Sequence, residues 1–196
     1  MTKLGIKHFL RRFALKEEGV ITVESMLILP LLIWSMLASY TFYDGYRQSS
    51  RSIKGAYAVA DVLSREQDAV NASYNDSMLE LYETIVSTRS PASMRVTFLT
   101  YKADTDSHDV FWSCVRGADY AWWTQGNISG MKDHLPGMPD NGNMIVVETT
   151  NEYRAPFTNI GFRLSNFPMS NFVFTHPRVL DQIVTTDPSC YTNPAY

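Results

Sequence analysis

The chain has 196 residues, room for one ordinary domain with an appendage but not for two full-sized domains. Hydrophobic residues make up 45% and aromatics 13%, enough to build a packed core and too much for wholesale disorder. Charged residues are only 19% and the net charge is -3, which excludes a nucleic-acid binder working by bulk positive charge. Two cysteines are too few for a disulfide-dense scaffold or a four-thiolate zinc site.

The N-terminus opens with a basic leader. Residues 1 to 19 carry Lys3, Lys7, Arg11, Arg12 and Lys16 against Glu17 and Glu18, a local +3 that leaves -6 for the rest of the chain. From Val20 to Tyr43 the sequence is apolar, with Glu24 its only charge. Roughly 24 helical residues at about 1.5 Å each reach about 36 Å, which crosses a hydrocarbon layer with some tilt. A helix is the predicted conformation, because it spans lipid without orphaning backbone groups. Tyr40, Phe42, Tyr43 and Tyr46 ring its far end as an interfacial aromatic belt would. With the basic block in front, the N-terminus is expected on the cytoplasmic side and residues after about 46 outside.

A cleaved secretory signal competes with this reading, but it needs a shorter apolar run and a small-x-small site. Ser35-Met36-Leu37-Ala38 puts Met36 where a small residue is required. A buried core helix is disfavoured by the length and the flanking charges. A plain membrane anchor accounts for everything except Glu24. A carboxylate within a span costs up to about 2.5–3.5 kcal/mol at its centre and less near an end, so it calls for a partner.

Gly19 stands just before the apolar run, and Glu24 is the fifth residue after it. Gly19-Val20-Ile21-Thr22-Val23-Glu24 behind a basic leader resembles the cleavage site of type IV prepilins. The wider block is Phe9-Leu10-Arg11-Arg12-Phe13, Glu17-Glu18-Gly19, Thr22-Val23-Glu24-Ser25 and Leu29-Pro30-Leu31-Leu32. It is similar to the TadE/TadF-type pseudopilins of tight-adherence (Tad/Flp) pili, over about residues 9 to 65. Ser25 departs from the phenylalanine often found after that glutamate. The resemblance implies cutting after Gly19 by a prepilin peptidase, which leaves a free ammonium at Val20 and a carboxylate at Glu24 for contact between subunits. In low dielectric such a pair is far stronger than in water, and either charge alone is costly. It also implies a non-catalytic minor pseudopilin, with the other Tad pseudopilins, the major Flp pilin and the assembly platform as partners. Pro30 removes a backbone bond and is expected to bend the helix locally.

Beyond the span, Gly45 to Glu66 continues as helix, with Ile53, Ala56, Ala60 and Leu63 as an apolar stripe for the following domain. One long helix is predicted from about 20 to 66, loosened at Gly45 or Gly55. Asn71 to Asp76 reads as a polar break before a short amphipathic helix, Ser77 to Ser87, using Met78, Leu81, Tyr82 and Ile85. Ser90-Pro91 ends it. Then the period changes. Met94 to Tyr101, Val110 to Val115 and Met144 to Tyr153 are predicted strands, rich in β-branched and aromatic residues, with Asn171 to Thr175 a short fourth. Asp104 to Asp109 links the first two, and a Gly/Pro/Asn-rich loop from about Gln125 to Asn143 leads to the third. The expected fold is α+β: a transmembrane helix, then a small periplasmic domain (67–196) with an antiparallel sheet.

Cys114 and Cys190 fall in the segment expected to face an oxidising compartment, which favours a disulfide over two buried thiols. Candidates for chemistry are few, and no cofactor is expected. Asp104, Asp106 and Asp109 beside His108 could hold calcium, but they lack the mid-loop glycine and bidentate glutamate of an EF-hand and read better as a solvated turn. His108, His134 and His176 show no metal-ligand spacing. Trp112, Trp122 and Trp123 with Tyr120 could line a sugar-binding surface or pack a small sheet. The runner-up function is therefore a single-pass, membrane-anchored periplasmic binding module for sugar or calcium.

Overall fold

The computed structural model describes residues 20–87, 90–157 and 166–195, so Gly19 and the rest of the leader lie outside the described residues. The chain divides into two compact units, parting between Asp44 and Gly45. Helix α1 (Val20–Ser64, 45 residues) is continuous through Pro30, Gly45 and Gly55. From Thr22 to Met36 every residue is exposed, apolar ones included.

The second unit is an antiparallel sheet with helices on one face. Helix α2 (Ala72–Val86) is followed by β1 (Ala92–Lys102), β2 (Ser107–Arg116), β3 (Asn143–Tyr153), β4 (Phe167–Thr175) and β5 (Tyr191–Thr192), in the spatial order β4-β3-β1-β2-β5. Together with α1, this is the expected α+β class. The central strand β1 is buried without interruption from Ala92 to Thr100, because both of its faces are covered. Phe98 pairs with Trp112 and Leu99 with Val110, so Phe111 is an extra residue, a β-bulge. The bulge lets Phe111 meet Phe98 edge-on at 5.5 Å on the face where Trp112 stacks on Phe98 at 6.0 Å.

That face carries the main core, built from Ala56, Val59, Ala60 and Leu63 of α1, Met78, Tyr82 and Val86 of α2, and Met94, Val96, Phe98, Ile145, Val147 and Val173 of the sheet. The predicted stripe needs one correction. Ile53 is 44% exposed, and its neighbour Ser52 is fully buried instead. At 3.6 residues per turn, Ser52 shares a face with Ala56, Val59 and Leu63, whereas Ile53 sits about 100° away. The Ser52 hydroxyl donates to Asn151 Oδ1 (2.8 Å) and accepts from Asn171 Nδ2 (2.7 Å), and the Tyr82 hydroxyl donates to the same Asn151 oxygen (2.9 Å).

Helix α2 begins five residues earlier than its apolar pattern suggests. Asn71 accepts from the Tyr74 backbone N–H, so the polar stretch Asn71 to Asp76 is a cap and first turn rather than a break. Its buried side are Asn75, Met78, Tyr82 and Val86, with Leu81 and Ile85 half-buried. Gly55 serves the contact between the two helices: a Cβ there would lie 2.9 Å from the buried Tyr82 ring. Gly55→Ala sets an overpacking cost of about 1–3 kcal/mol against a helix-propensity gain of about 1 kcal/mol. A net loss in denaturation midpoint is expected, and an unchanged or higher midpoint would show that the ring yields freely.

Strands β1, β2 and β4 extend past their predicted ends. Ser107 to Asp109 belong to β2, so the connecting turn is only 103–106, with Asp106 left-handed at φ 46°. The loop predicted from Gln125 to Asn143 contains a 3₁₀ helix, Ile128–His134, which lays Ile128 and Met131 against Leu99, Val110, Met144 and Val146 on the second face of the sheet.

The C-terminal segment closes over β2. Cys114 and Cys190 form a disulfide across 76 positions, which restricts the unfolded chain by about 4 kcal/mol in the chain-entropy account. Trp112 Nε1 donates to the Ile183 carbonyl (2.7 Å), and the Asn193 N–H donates to Phe111 (2.8 Å). The Asp187 carboxylate is wholly buried and pairs with Arg116 (2.5 Å). Burial alone would raise its pKa; hydrogen bonds from Ser189, Asn75 and Arg116 outweigh it and hold the group well below the usual carboxylate range. A depressed folded pKa stabilises above the unfolded value and ceases to do so as pH falls through the folded one. Asp187→Asn is therefore expected to be less stable than the parent near neutrality, by about 2 kcal/mol for hydrogen bonds to a charged group. The gap should start to narrow below about pH 4, where the unfolded parent takes up a proton, and close only as pH falls through the depressed folded value. Unfolding midpoints for the two proteins across pH test this, and a gap that does not vary with pH would sink it.

Candidate assembly surface

The N-terminal part of α1 is an apolar helix that the described residues leave uncovered. Met26 and Met36 are each 77% exposed, and Leu27 is 72% exposed. It contains a segment long and apolar enough to be a membrane span or a signal anchor. Ser35, Ser39 and Thr41 return their hydroxyls to the carbonyls of Leu32, Ser35 and Leu37. That local satisfaction lets a hydroxyl sit in an apolar run without an outside partner.

Val20 is the first described residue of α1, and Glu24 follows one turn later with its side chain exposed. Chemically, this is an acidic group presented from an apolar surface.

The aspartates of the 104–109 segment do not converge. The Asp104 carboxylate accepts from the Thr105 N–H (2.9 Å), Asp106 pairs with Lys132 (2.5 Å), and Asp109 pairs with Lys102 (2.7 Å). The Asp106 carboxyl is held below its usual range, chiefly by the Lys132 hydrogen bond and then by that from Tyr101. Among the described residues, the trio of His, Cys, Asp or Glu that gathers ligand atoms within 4.8 Å is Cys114, Asp187 and Cys190. Its two sulfurs are already joined to each other, so neither is a thiolate ligand. His108 is buried, and burial lowers its pKa.

The aromatic set divides. Trp112 is core, Trp122 is 48% exposed, and Trp123 and Tyr120 are half-buried. Between the last two lies a group the sequence reading did not anticipate. The Arg95 guanidinium sits 4.7 Å from the Tyr120 ring centroid and 4.5 Å from that of Trp123. It donates to both Glu148 oxygens (2.6 and 2.7 Å) and to the Ala121 carbonyl (2.6 Å), while Trp123 Nε1 donates to Glu148 (2.8 Å). Burial raises the Tyr120 hydroxyl to about 12, helped by the Glu148 charge. One signal was available: Arg95 and Glu148 are the charges at the middle of two largely apolar strands, whose other charges, Lys102 and Glu152, lie at or near strand ends, and they prove to be direct cross-strand partners. Trp123, Glu148, Gly130, Met131, His134 and Phe172 line an open cleft of about 350 Å³. A second, more polar cleft of about 400 Å³ lies between Asn141, Asn143, His176 and Asp181.

Fold and surface together define an α+β protein in which a long apolar helix leads into a five-stranded antiparallel sheet domain stapled by one disulfide. No protein-family model, curated protein or solved structure matches the chain.

Proposed function

We infer that the chain is a minor pseudopilin of the TadE/TadF kind, a non-catalytic subunit that assembles with a Tad pilus. In this reading the apolar part of α1 lies in the inner membrane, the leader is cytoplasmic and the sheet domain is periplasmic. A prepilin peptidase cuts between Gly19 and Val20, and the new Val20 ammonium meets Glu24 of a neighbouring subunit. The observation that carries the reading is Glu24, the sole charge from Val20 to Tyr43, exposed on a helix whose apolar side chains are themselves uncovered. An anchor needs no such carboxylate, and a carboxylate held within lipid calls for a partner. The disulfide agrees with an oxidising compartment for the domain.

Sequencing the N-terminus of the protein from its own host tests this directly. A chain beginning at Val20 is expected, and a chain that keeps Met1 while pili form would sink the proposal. The 350 Å³ cleft beside Trp123 supports a second reading, a membrane-anchored module that binds a sugar ring against that tryptophan. That reading predicts saturable binding of an oligosaccharide and an intact leader.

A further inference from the structure

The described cations of the sheet domain fall into two groups. Arg65 and Arg178 pair with Asp61, Arg95 with Glu148, Lys102 with Asp109, Arg116 with Asp76 and Asp187, Lys132 with Asp106, and Arg154 with Glu152. Arg47, Arg51 and Lys54 make no ion pair among the described residues. They are consecutive members of one stripe: spacings of four and three put them on a single face of α1, away from the buried line of Ser52, Ala56, Val59 and Leu63. Arg47 and Lys54 are exposed and Arg51 is half-buried. Everything after the leader sums to -6, so this is a local positive strip on an otherwise acidic polypeptide. Three cations side by side, with no ion pair among the described residues, repel one another, which points to an anionic partner outside the chain.

We propose that Arg47, Arg51 and Lys54 bind the phosphates of anionic phospholipid headgroups. The proposal rests on the membrane-anchored reading above and adds to it a specific lipid. Position favours lipid over an acidic protein: Arg47 comes four residues after the apolar run ends at Tyr43, and helical side chains lean toward the N-terminus, back toward that run. Long arginine and lysine stems reach headgroups from beyond the hydrocarbon edge. Tyr46, 75% exposed and three residues after Tyr43, suits the interfacial layer at that end of the apolar run.

The test uses the full chain in neutral detergent micelles, titrated with phosphatidylglycerol or phosphatidylcholine and read by native mass spectrometry. Three cations near an anionic surface should give a preference for phosphatidylglycerol of roughly 100-fold at low salt, weakening as salt rises. Arg47→Gln/Arg51→Gln/Lys54→Gln should erase most of that preference. Lys102→Gln/Lys132→Gln/Arg154→Gln, with the same change in net charge at paired sites, should keep it. Equal loss in both variants would mean bulk charge and overturn the proposal, as would a stripe variant that keeps its preference. Loss of self-association in phosphatidylcholine alone would overturn it too, naming a second copy as the partner. Flotation of the unaltered chain with phosphatidylcholine vesicles separates the two levels: failure to float refutes the membrane reading, whereas floating without lipid preference refutes only the stripe.

Discussion

On the proposed pseudopilin reading, Glu24→Ala is expected to abolish incorporation of the subunit into pili while leaving the sheet domain folded and the helix membrane-inserted. Removing a carboxylate from an apolar segment relieves up to about 2.5–3.5 kcal/mol of unfavourable transfer, so insertion should become easier. What is lost in that reading is the partner for an ammonium on a neighbouring chain, and a single buried charge left unpaired costs about 3–5 kcal/mol. That amounts to a factor of several hundred or more in the contact equilibrium. Glu24→Gln, nearly the same shape without the charge, should fail in the same way. Pilus-associated subunit in sheared fractions gives the readout, and membrane fractionation supplies the control. Pili formed normally by both variants would remove Glu24 from subunit contact.

Glu148→Ala is the second large effect, and it concerns the domain. The Arg95 and Glu148 side chains are only 10% and 13% exposed. Truncating one strands a guanidinium between two aromatic rings and orphans the Trp123 N–H, an expected loss of about 3–5 kcal/mol. For a domain of this size that is roughly 10 °C or more in Tm. Arg95→Met/Glu148→Leu removes both charges and keeps apolar volume, so it should recover most of the loss or exceed the parent. A single variant within about 1 kcal/mol of the parent would mean that water already screens the pair. The same cycle bears on the cleft beside Trp123, because the tryptophan's position depends on its bond to Glu148.

How far the sequence carried differs from element to element. The apolar helix, four of the five strands and the disulfide were legible because each leaves a local mark: a long apolar run, β-branched alternation, and an even cysteine count in a chain read as facing an oxidising compartment. Helix α2 was read five residues short, because a polar first turn looks like a loop until Asn71 is seen to cap it. Ile53 was assigned to the core because a stripe fixes a face only to within about 100°, and the buried polar cluster at Ser52 decides which side of the helix turns inward. The Arg95–Glu148 pair and the divided tryptophans depended on register: positions 53 apart in sequence become direct neighbours only when β1 and β3 pair.

From the sequence alone came a basic leader, an apolar run with a single carboxylate at its fifth position, and a sheet-forming domain behind it. These follow from composition and from periods of 2 and 3.6, which act over a few residues. The tertiary structure decided which charges find one another. It joined Asp187 to Arg116 and Glu148 to Arg95, and it left Arg47, Arg51 and Lys54 outside every ion pair of the described residues. Ion pairing depends on distances of a few ångströms between chain-distant groups, and only the folded arrangement of strands and helices sets those distances.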